Sequence, residues 1–182
     1  MKSIAPSLAS AALLGFLLAC AEAPPPPEPV RVEHPELALA IATLPEPFEA
    51  TKTTGDTFEL TAPGANGPGT VKITVGEPSN SGINLVEATK ARKAAFEIAP
   101  GGKFYGTRTL GGTLGNVYTA RGSYRLDDGT EVEETWAFAL HPLEKNRMLS
   151  ITYTYPTGES QERVNQFLYL LGEIEGLTPA LP

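Results

Sequence analysis

Leu149-Ser150-Ile151-Thr152-Tyr153-Thr154-Tyr155-Pro156 alternates large apolar or aromatic residues with small polar ones over its whole length. A period of two is the signature of a strand with one face buried and one face wet. Pro156 ends it, and Gly158 follows. From about Ser160 the period changes to that of a helix, with Val164, Phe167, Leu168, Leu171 and Ile174 on one stripe. Gly176 and Pro179 close that helix. A half-wet strand followed directly by a one-sided helix requires the helix to cover a sheet.

Upstream, the same alternation recurs. Lys103 to about Pro156 reads as a four-strand meander with strands near 103–110, 115–126, 131–140 and 147–155. Gly111-Gly112, Asp127-Asp128-Gly129 and Pro142 to Asn146 supply the turns. Trp136, Phe138 and Leu140 share one face. Before the meander, Asn84 starts a helix as its cap, with Glu87 three residues on. Leu85, Ala88, Thr89, Arg92, Ala95 and Phe96 form its stripe, and Pro100-Gly101-Gly102 stops it. Earlier still, strands are expected over Leu37–Thr43, Phe48–Thr53, Thr57–Ala62 and Thr70–Val75, the last with Val71, Ile73 and Val75 on one face. The order strands, helix, four strands, helix predicts an α+β domain over 37–178, built on one antiparallel β-sheet with two packing helices.

The amino-terminal end carries a different message. Lys2 precedes an apolar run from Leu8 to Ala19 of about 12 residues, short of the ~20 that cross hydrocarbon. A positive start, a short apolar core and small residues at its end make an export signal. Leu17-Leu18-Ala19-Cys20 resembles the lipobox of bacterial lipoproteins at all four positions. The resemblance implies a signal peptide at 1–19, cleavage before Cys20, and lipid, including palmitate, on Cys20 as the membrane anchor. One acyl chain binds only marginally and reversibly, so stable anchoring needs several, which a triacylated cysteine provides. The competing reading of Cys20 is a buried thiol acting as a small hydrophobe. Ala21, in place of Asp, implies by resemblance to the enterobacterial sorting rule an outer-membrane location facing the periplasm.

Residues 20–36 read as a tether. Ala21 to Pro29 contains five prolines, which lack amide donors and favour extended polyproline II as a spacer. Such a run can also be a ligand for aromatic-lined grooves. Without residues 1–19 the chain has 13 Lys and Arg against 21 Asp and Glu, a net charge near −8. That balance argues against nucleic acid as a partner. With Cys20 lipidated no thiol remains for a disulfide, for catalysis or for a Cys-based zinc site.

From Gly106 through the meander to Leu149–Pro156 and the final helix, the order of elements is similar to the PsbP-like fold, an α/β/α sandwich shared by the extrinsic photosystem protein, a small Ran-binding transport factor and several bacterial envelope lipoproteins. The resemblance covers about residues 37 to 176. It implies a non-catalytic accessory or binding module, and no functional residue carries over from it.

The candidate chemistry is sparse. His34 sits at the edge of the tether, and His141 precedes Pro142 in a turn. A hydrolase-like enzyme or enzyme subunit would have to use His141 with nearby acids, yet no Gly-x-Ser-x-Gly elbow exists. Gly111-Gly112-Thr113-Leu114-Gly115 lacks the Lys-Ser/Thr of a phosphate loop and reads as a hairpin loop. Asp127, Asp128, Glu131, Glu133 and Glu134 crowd one hairpin, but alternation sends Glu133 and Glu134 to opposite faces, against a calcium site. Lys90, Arg92 and Lys93 read as a solvated patch near a helix end rather than an anion site. Trp136, Tyr153 and Tyr155 are assigned to packing, with a pocket between sheet and helix as the alternative. The expectation is therefore a lipid-anchored envelope lipoprotein, monomeric and without cofactor, metal or catalytic residue, that binds an envelope protein or a small apolar ligand. A purely structural envelope tether is the remaining alternative.

Overall fold

The structure, a computed structural model, describes residues 29–178. Seven strands form one antiparallel sheet: β3 (Glu49–Lys52), β4 (Phe58–Ala62), β5 (Gly69–Val75), β6 (Lys103–Gly112), β7 (Gly115–Arg125), β8 (Glu131–Leu140) and β9 (Met148–Pro156). Their order across the sheet is β3-β4-β5-β9-β8-β7-β6. The meander supplies four consecutive neighbours, and β5 joins it at β9, with Ile73 opposite Ile151 and Val71 opposite Tyr153. β3 and β6 are the two edges. This is the α+β architecture that the periodicities predict.

Alternation along β8 feeds two cores. Ala137 and Ala139 face a large cluster with Leu149, Ile151, Tyr153, Tyr155, Val71, Ile73 and Phe58. α2 (Ser160–Glu173) covers that face with Phe167, Leu170 and Leu171. Phe167 stacks on Tyr153 with ring centres 5.9 Å apart. Trp136 and Phe138 face the other way and pack, with Ala120, against Phe96 of α1 (Leu85–Ile98). The Phe96 and Trp136 rings are 4.1 Å apart. Gly122 admits this contact, because a Cβ there would lie 2.8 Å from the Phe96 ring. The Asn84 side chain caps α1 by accepting from the Glu87 amide at 3.1 Å, as its sequence implies.

Three expectations are corrected. The segment 37–43 is not one strand. A 3-10 turn at Pro35–Leu37 ends in Ala38 in the left-handed region (φ 49°), and only Leu39–Ile41 is extended, as β2. The segment 32–36, read as tether, is part of the fold: β1 (Val32–His34) pairs with β2. Finally, α2 stops at Glu173, and Ile174–Gly176 forms β10 on the other side of β2. The result is a small second sheet, β1-β2-β10, whose Leu39, Ile41 and Ile174 join the core under α2. Three-residue strands carry too little alternation to be read from sequence, and pairing between residues 41 and 174 is invisible to any local pattern.

The apolar stripe of α2 is also rotated from the expected one. Leu170 is buried with Phe167, Leu171 and Ile174, whereas Val164 and Leu168 are only half-buried. Arg163 takes the remaining buried position at 1% exposure. Its guanidinium donates to the carbonyls of Ala62, Pro63 and Gly67 and to the Tyr153 hydroxyl at 2.9–3.2 Å, and pairs with Glu159 at 2.8 Å. A buried charge is tolerated only when its donors are satisfied in this way. Gly64 makes the enclosure possible, since a Cβ there would overlap the guanidinium.

Candidate functional site

Cys20 and the rest of the leader lie outside the described residues, as does most of the Pro-rich run. The two histidines do not form a reactive site. His141 is completely buried. Its Nε2–H donates to the Leu37 carbonyl at 2.9 Å, and its Nδ1 accepts from the amides of Glu144 at 3.0 Å and Leu143 at 3.3 Å. His34, read from the sequence as the edge of the tether, is also completely buried and lies against Phe58. Its Nε2–H donates to the Thr57 carbonyl at 3.2 Å and its Nδ1 accepts from the Leu37 amide at 3.4 Å. Two imidazoles thus grip the backbone of Leu37 from opposite ends. Neither has a ring nitrogen left for a substrate.

The acidic hairpin separates as alternation requires. Glu134 points under α1, where its carboxylate accepts from Arg92, from the Trp136 indole, from Tyr124 at 2.7 Å and from Thr154 at 3.4 Å. Burial, then the bond to Glu134, pushes the Tyr124 phenol well above its ordinary range. Glu133 points to the α2 face. No cluster of His, Cys, Asp and Glu suited to a metal occurs among the described residues. Lys90 pairs with Glu87, Arg92 with Glu134 and Lys93 with Glu97, so the basic patch is internally compensated. The Gly111–Gly115 loop is the β6–β7 hairpin, with Leu114 buried in the large core. Trp136 faces α1 and Tyr153 and Tyr155 face α2, and all three are buried packing residues, so they line no common pocket.

The feature that the sequence reading missed is a cleft of about 270 Å³ where α2 stops short of the β6 edge. Val164 and Leu168 form its helical wall, with Gln161 and Asn165 beside them. Tyr105, Arg108, Thr119, Arg121 and Thr135, from β6, β7 and β8, form the rest. Beneath this lining, outside the cleft itself, runs a set of polar contacts. Arg121 donates to Glu133 through Nη2 at 2.6 Å and Nε at 3.2 Å, and lies over the Tyr105 ring at 5.2 Å. The Tyr155 hydroxyl reaches Glu133 at 3.5 Å and Thr135 at 3.3 Å. Tyr105 donates to Ser123 at 2.8 Å. Burial is the largest single influence and works against the charge of Arg121, but the Glu133 hydrogen bond together with the electrostatic pull of Tyr155, Glu133 and Tyr105 outweighs it and raises the guanidinium pKa above its ordinary value. Arg108, exposed on the edge strand, has no carboxylate within ion-pair distance among the described residues. The cleft therefore offers an aliphatic wall, a fixed guanidinium, a guanidinium without an ion-pair partner among the described residues, and several hydroxyl and amide groups.

The only sequence hint of it was indirect. Val164 and Leu168 lie on the apolar stripe of α2 but not at its centre, and Arg121 alternates inward on β7. Neither position declares a cleft until helix and sheet are placed together.

In sequence the chain matches no known protein family and none of the curated proteins. In fold it is similar to several solved structures. LpqN of Mycobacterium tuberculosis, a protein involved in cell envelope biogenesis, superposes with a TM-score of 0.58 at 10% identity, over 82% of this chain and 85% of LpqN. The Ran-binding protein Mog1p of Saccharomyces cerevisiae superposes with a TM-score of 0.54 at 11% identity, over 82% of this chain and 95% of Mog1p. A Mog1 mutant gives a TM-score of 0.52 at 12% identity, over 83% and 97%. At such identities the likeness establishes the shared fold and nothing more.

Proposed function

We propose that this chain is a lipid-anchored protein of the bacterial envelope whose α+β domain binds a partner or ligand and performs no chemistry, with the α2 cleft as its binding face. The sandwich is of the PsbP-like kind. Cys20 carries the lipid, the Pro-rich run spaces the domain from the bilayer, and Ala21 directs the protein to the outer membrane. The observation that carries the binding reading is the cleft itself. It joins apolar surface to Arg108 and Arg121 in a chain of net charge −7, while both histidines are committed to backbone hydrogen bonds. Concave recesses in which a few polar groups converge beside apolar surface are the usual form of a ligand site, and this one is more polar than most. The fold likeness to a protein of envelope biogenesis and to a Ran-binding protein is consistent with that role.

Two experiments test the two halves of this reading. Metabolic labelling with palmitate should mark the wild-type protein and not Cys20→Ser, which should accumulate as precursor or leave the membrane. Persistent label on Cys20→Ser refutes the anchor. A photo-crosslinking amino acid at Leu168 should yield a discrete envelope adduct in cells, and the same group at exposed Ile98 on α1 should not. Equal adducts from both positions refute the cleft as the binding face.

A further inference from the structure

Two recesses meet at one strand. The α2 cleft lies on one face of the sheet, and a groove of about 420 Å³ between α1 and the sheet lies on the other, walled by Val86, Lys90, Lys93 and Phe104. Both take in Thr107 and Arg108 of β6. β6 is an edge, ten residues long, and past the register shift at 104–106 its residues 107–112 run in regular pairing with β7. Its outer side presents a row of backbone donors and acceptors that β7 does not use.

Charge says what fits there. Although the chain has 21 Asp and Glu against 14 Lys and Arg, neither recess is lined by a carboxylate, and together they are lined by Lys90, Lys93, Arg108 and Arg121. Glu87, Glu97 and Glu133 compensate Lys90, Lys93 and Arg121 from outside the recesses, which leaves Arg108 at the centre without an ion-pair partner among the described residues. A basic edge disfavours pairing with its own copy, because two such edges would bring like charges face to face. It favours an acidic strand.

We infer that β6 is a docking edge for an extended acidic segment of a partner protein, which adds to the sheet beside Thr107–Gly112. Successive side chains of an added strand point to opposite faces, so alternate residues enter the α2 cleft and the α1 groove. Backbone pairing supplies affinity and the two recesses supply selectivity. Acidic side chains meet Arg108 and Arg121 on one face and Lys90 and Lys93 on the other, and apolar ones meet Val164 and Leu168 or Val86 and Phe104. This assignment rests on the α2 cleft being a binding face.

The test is selection of random ten-residue peptides displayed on phage against the purified full chain. Enriched peptides should carry Asp or Glu at alternating positions and lack a central proline. The best of them, synthesised with and without N-methylation of every second amide, is then titrated against the protein while amide exchange is followed. The unmethylated peptide should slow exchange of the outward amides of 107–112, and N-methylation or Arg108→Glu should each weaken binding by about tenfold or more. Failure to enrich any acidic peptide overturns the inference. Equal binding of the N-methylated peptide also overturns it, while leaving the α2 cleft standing as a ligand site. Protection of 107–112 that grows with protein concentration in the absence of peptide assigns the edge to a second copy and overturns it as well. If peptide binding protects β6 but is unchanged in Leu168→Trp, the edge stands and the cleft reading fails, and with it the two-sided recognition proposed here.

Discussion

The two faces of the seven-stranded sheet are held by different physics. Under α2 lies a cluster of 21 buried apolar residues among those described, to which the small sheet also contributes. Under α1 the buried cluster has four, Phe96, Ala120, Trp136 and Phe138. The α2 face is stabilised mainly by removing apolar surface from water. The α1 face relies on a polar clamp, in which Glu134 gathers Arg92, Trp136, Tyr124 and Thr154. The Arg92 guanidinium also lies over the Trp136 ring at 4.1 Å. A buried carboxylate with all its acceptor sites filled specifies a geometry but adds modest net stability. The contrast teaches that α2 is integral to the core, whereas α1, with the smaller buried cluster, is expected to be the layer that opens first.

The sharpest way to break this comparison is to remove one aromatic from each face. Phe167→Ala is expected to cost about 3–5 kcal/mol in chemical denaturation, from lost transfer energy plus a cavity. Phe96→Ala is expected to cost less, about 3 kcal/mol, at the low end of the range, because its cluster has only four buried members. Equal losses would erase the distinction between the faces.

Arginines give a second contrast. Arg163→Met should cost about 3 kcal/mol, since it strands the carbonyls of Ala62, Pro63 and Gly67 and the Tyr153 hydroxyl without a donor. Arg92→Met keeps the stem that covers Trp136 and removes a charge that is 39% exposed, but it takes one donor from Glu134, which is 3% exposed and keeps Trp136, Tyr124 and Thr154, so a loss of about 1–2 kcal/mol, smaller than at Arg163, is expected. A larger loss for Arg92→Met than for Arg163→Met would show that the clamp, not the core, is the stronger hold.

Alkali probes both faces together. Burial is the leading cause that raises the pKa of Tyr124, Tyr153 and Tyr155 above the ordinary 10.0, aided at Tyr124 by Glu134 and opposed at Tyr153 by Arg163. In the unfolded chain these phenols ionise at their ordinary value, so their contribution is complete below pH 10 and is lost as pH rises toward the folded values. Unfolding free energy should therefore fall above about pH 10, and phenolate absorbance should show Tyr124, Tyr153 and Tyr155 ionising late. Their ionisation at the ordinary value would contradict the described burial. The smallest effect expected is at the start of α1, where Asn84→Ala should cost about 1 kcal/mol by freeing the Glu87 amide. Amide exchange in α1 should rise in that variant with no change in α2, and a parallel rise in both would show that the two layers unfold as one unit.

Much of this fold is legible along the chain, and the reason differs element by element. Leu149–Pro156 declares β9 because both faces of a half-wet strand are written into consecutive residues. Asn84 declares the start of α1 because a cap acts on amides two and three residues away. Arg163 was hidden because a charged residue at a core position contradicts any hydrophobic template, and only the carbonyls of the 62–67 loop, brought in from a hundred residues away, make it tolerable. His34 was placed at the tether edge because Thr57 and Phe58, which hold its ring, meet it only in the folded chain, and the role of His141 stayed open because its partner, the Leu37 carbonyl, lies 104 residues away.

By itself the sequence determined the α+β class, the four-strand meander, both helices and the opposed directions of Glu133 and Glu134, since each follows from side-chain period and local capping. The lipobox reading of Leu17–Cys20 rests on sequence alone. Only the tertiary structure decided that α2 covers the Leu149 and Ile151 face and α1 the Trp136 face, that Ile174 leaves the helix to pair with Ile41, and that a cleft opens beside Arg121. These are contacts between residues far apart in the chain, and they are settled by which surfaces bury each other rather than by any residue's neighbours.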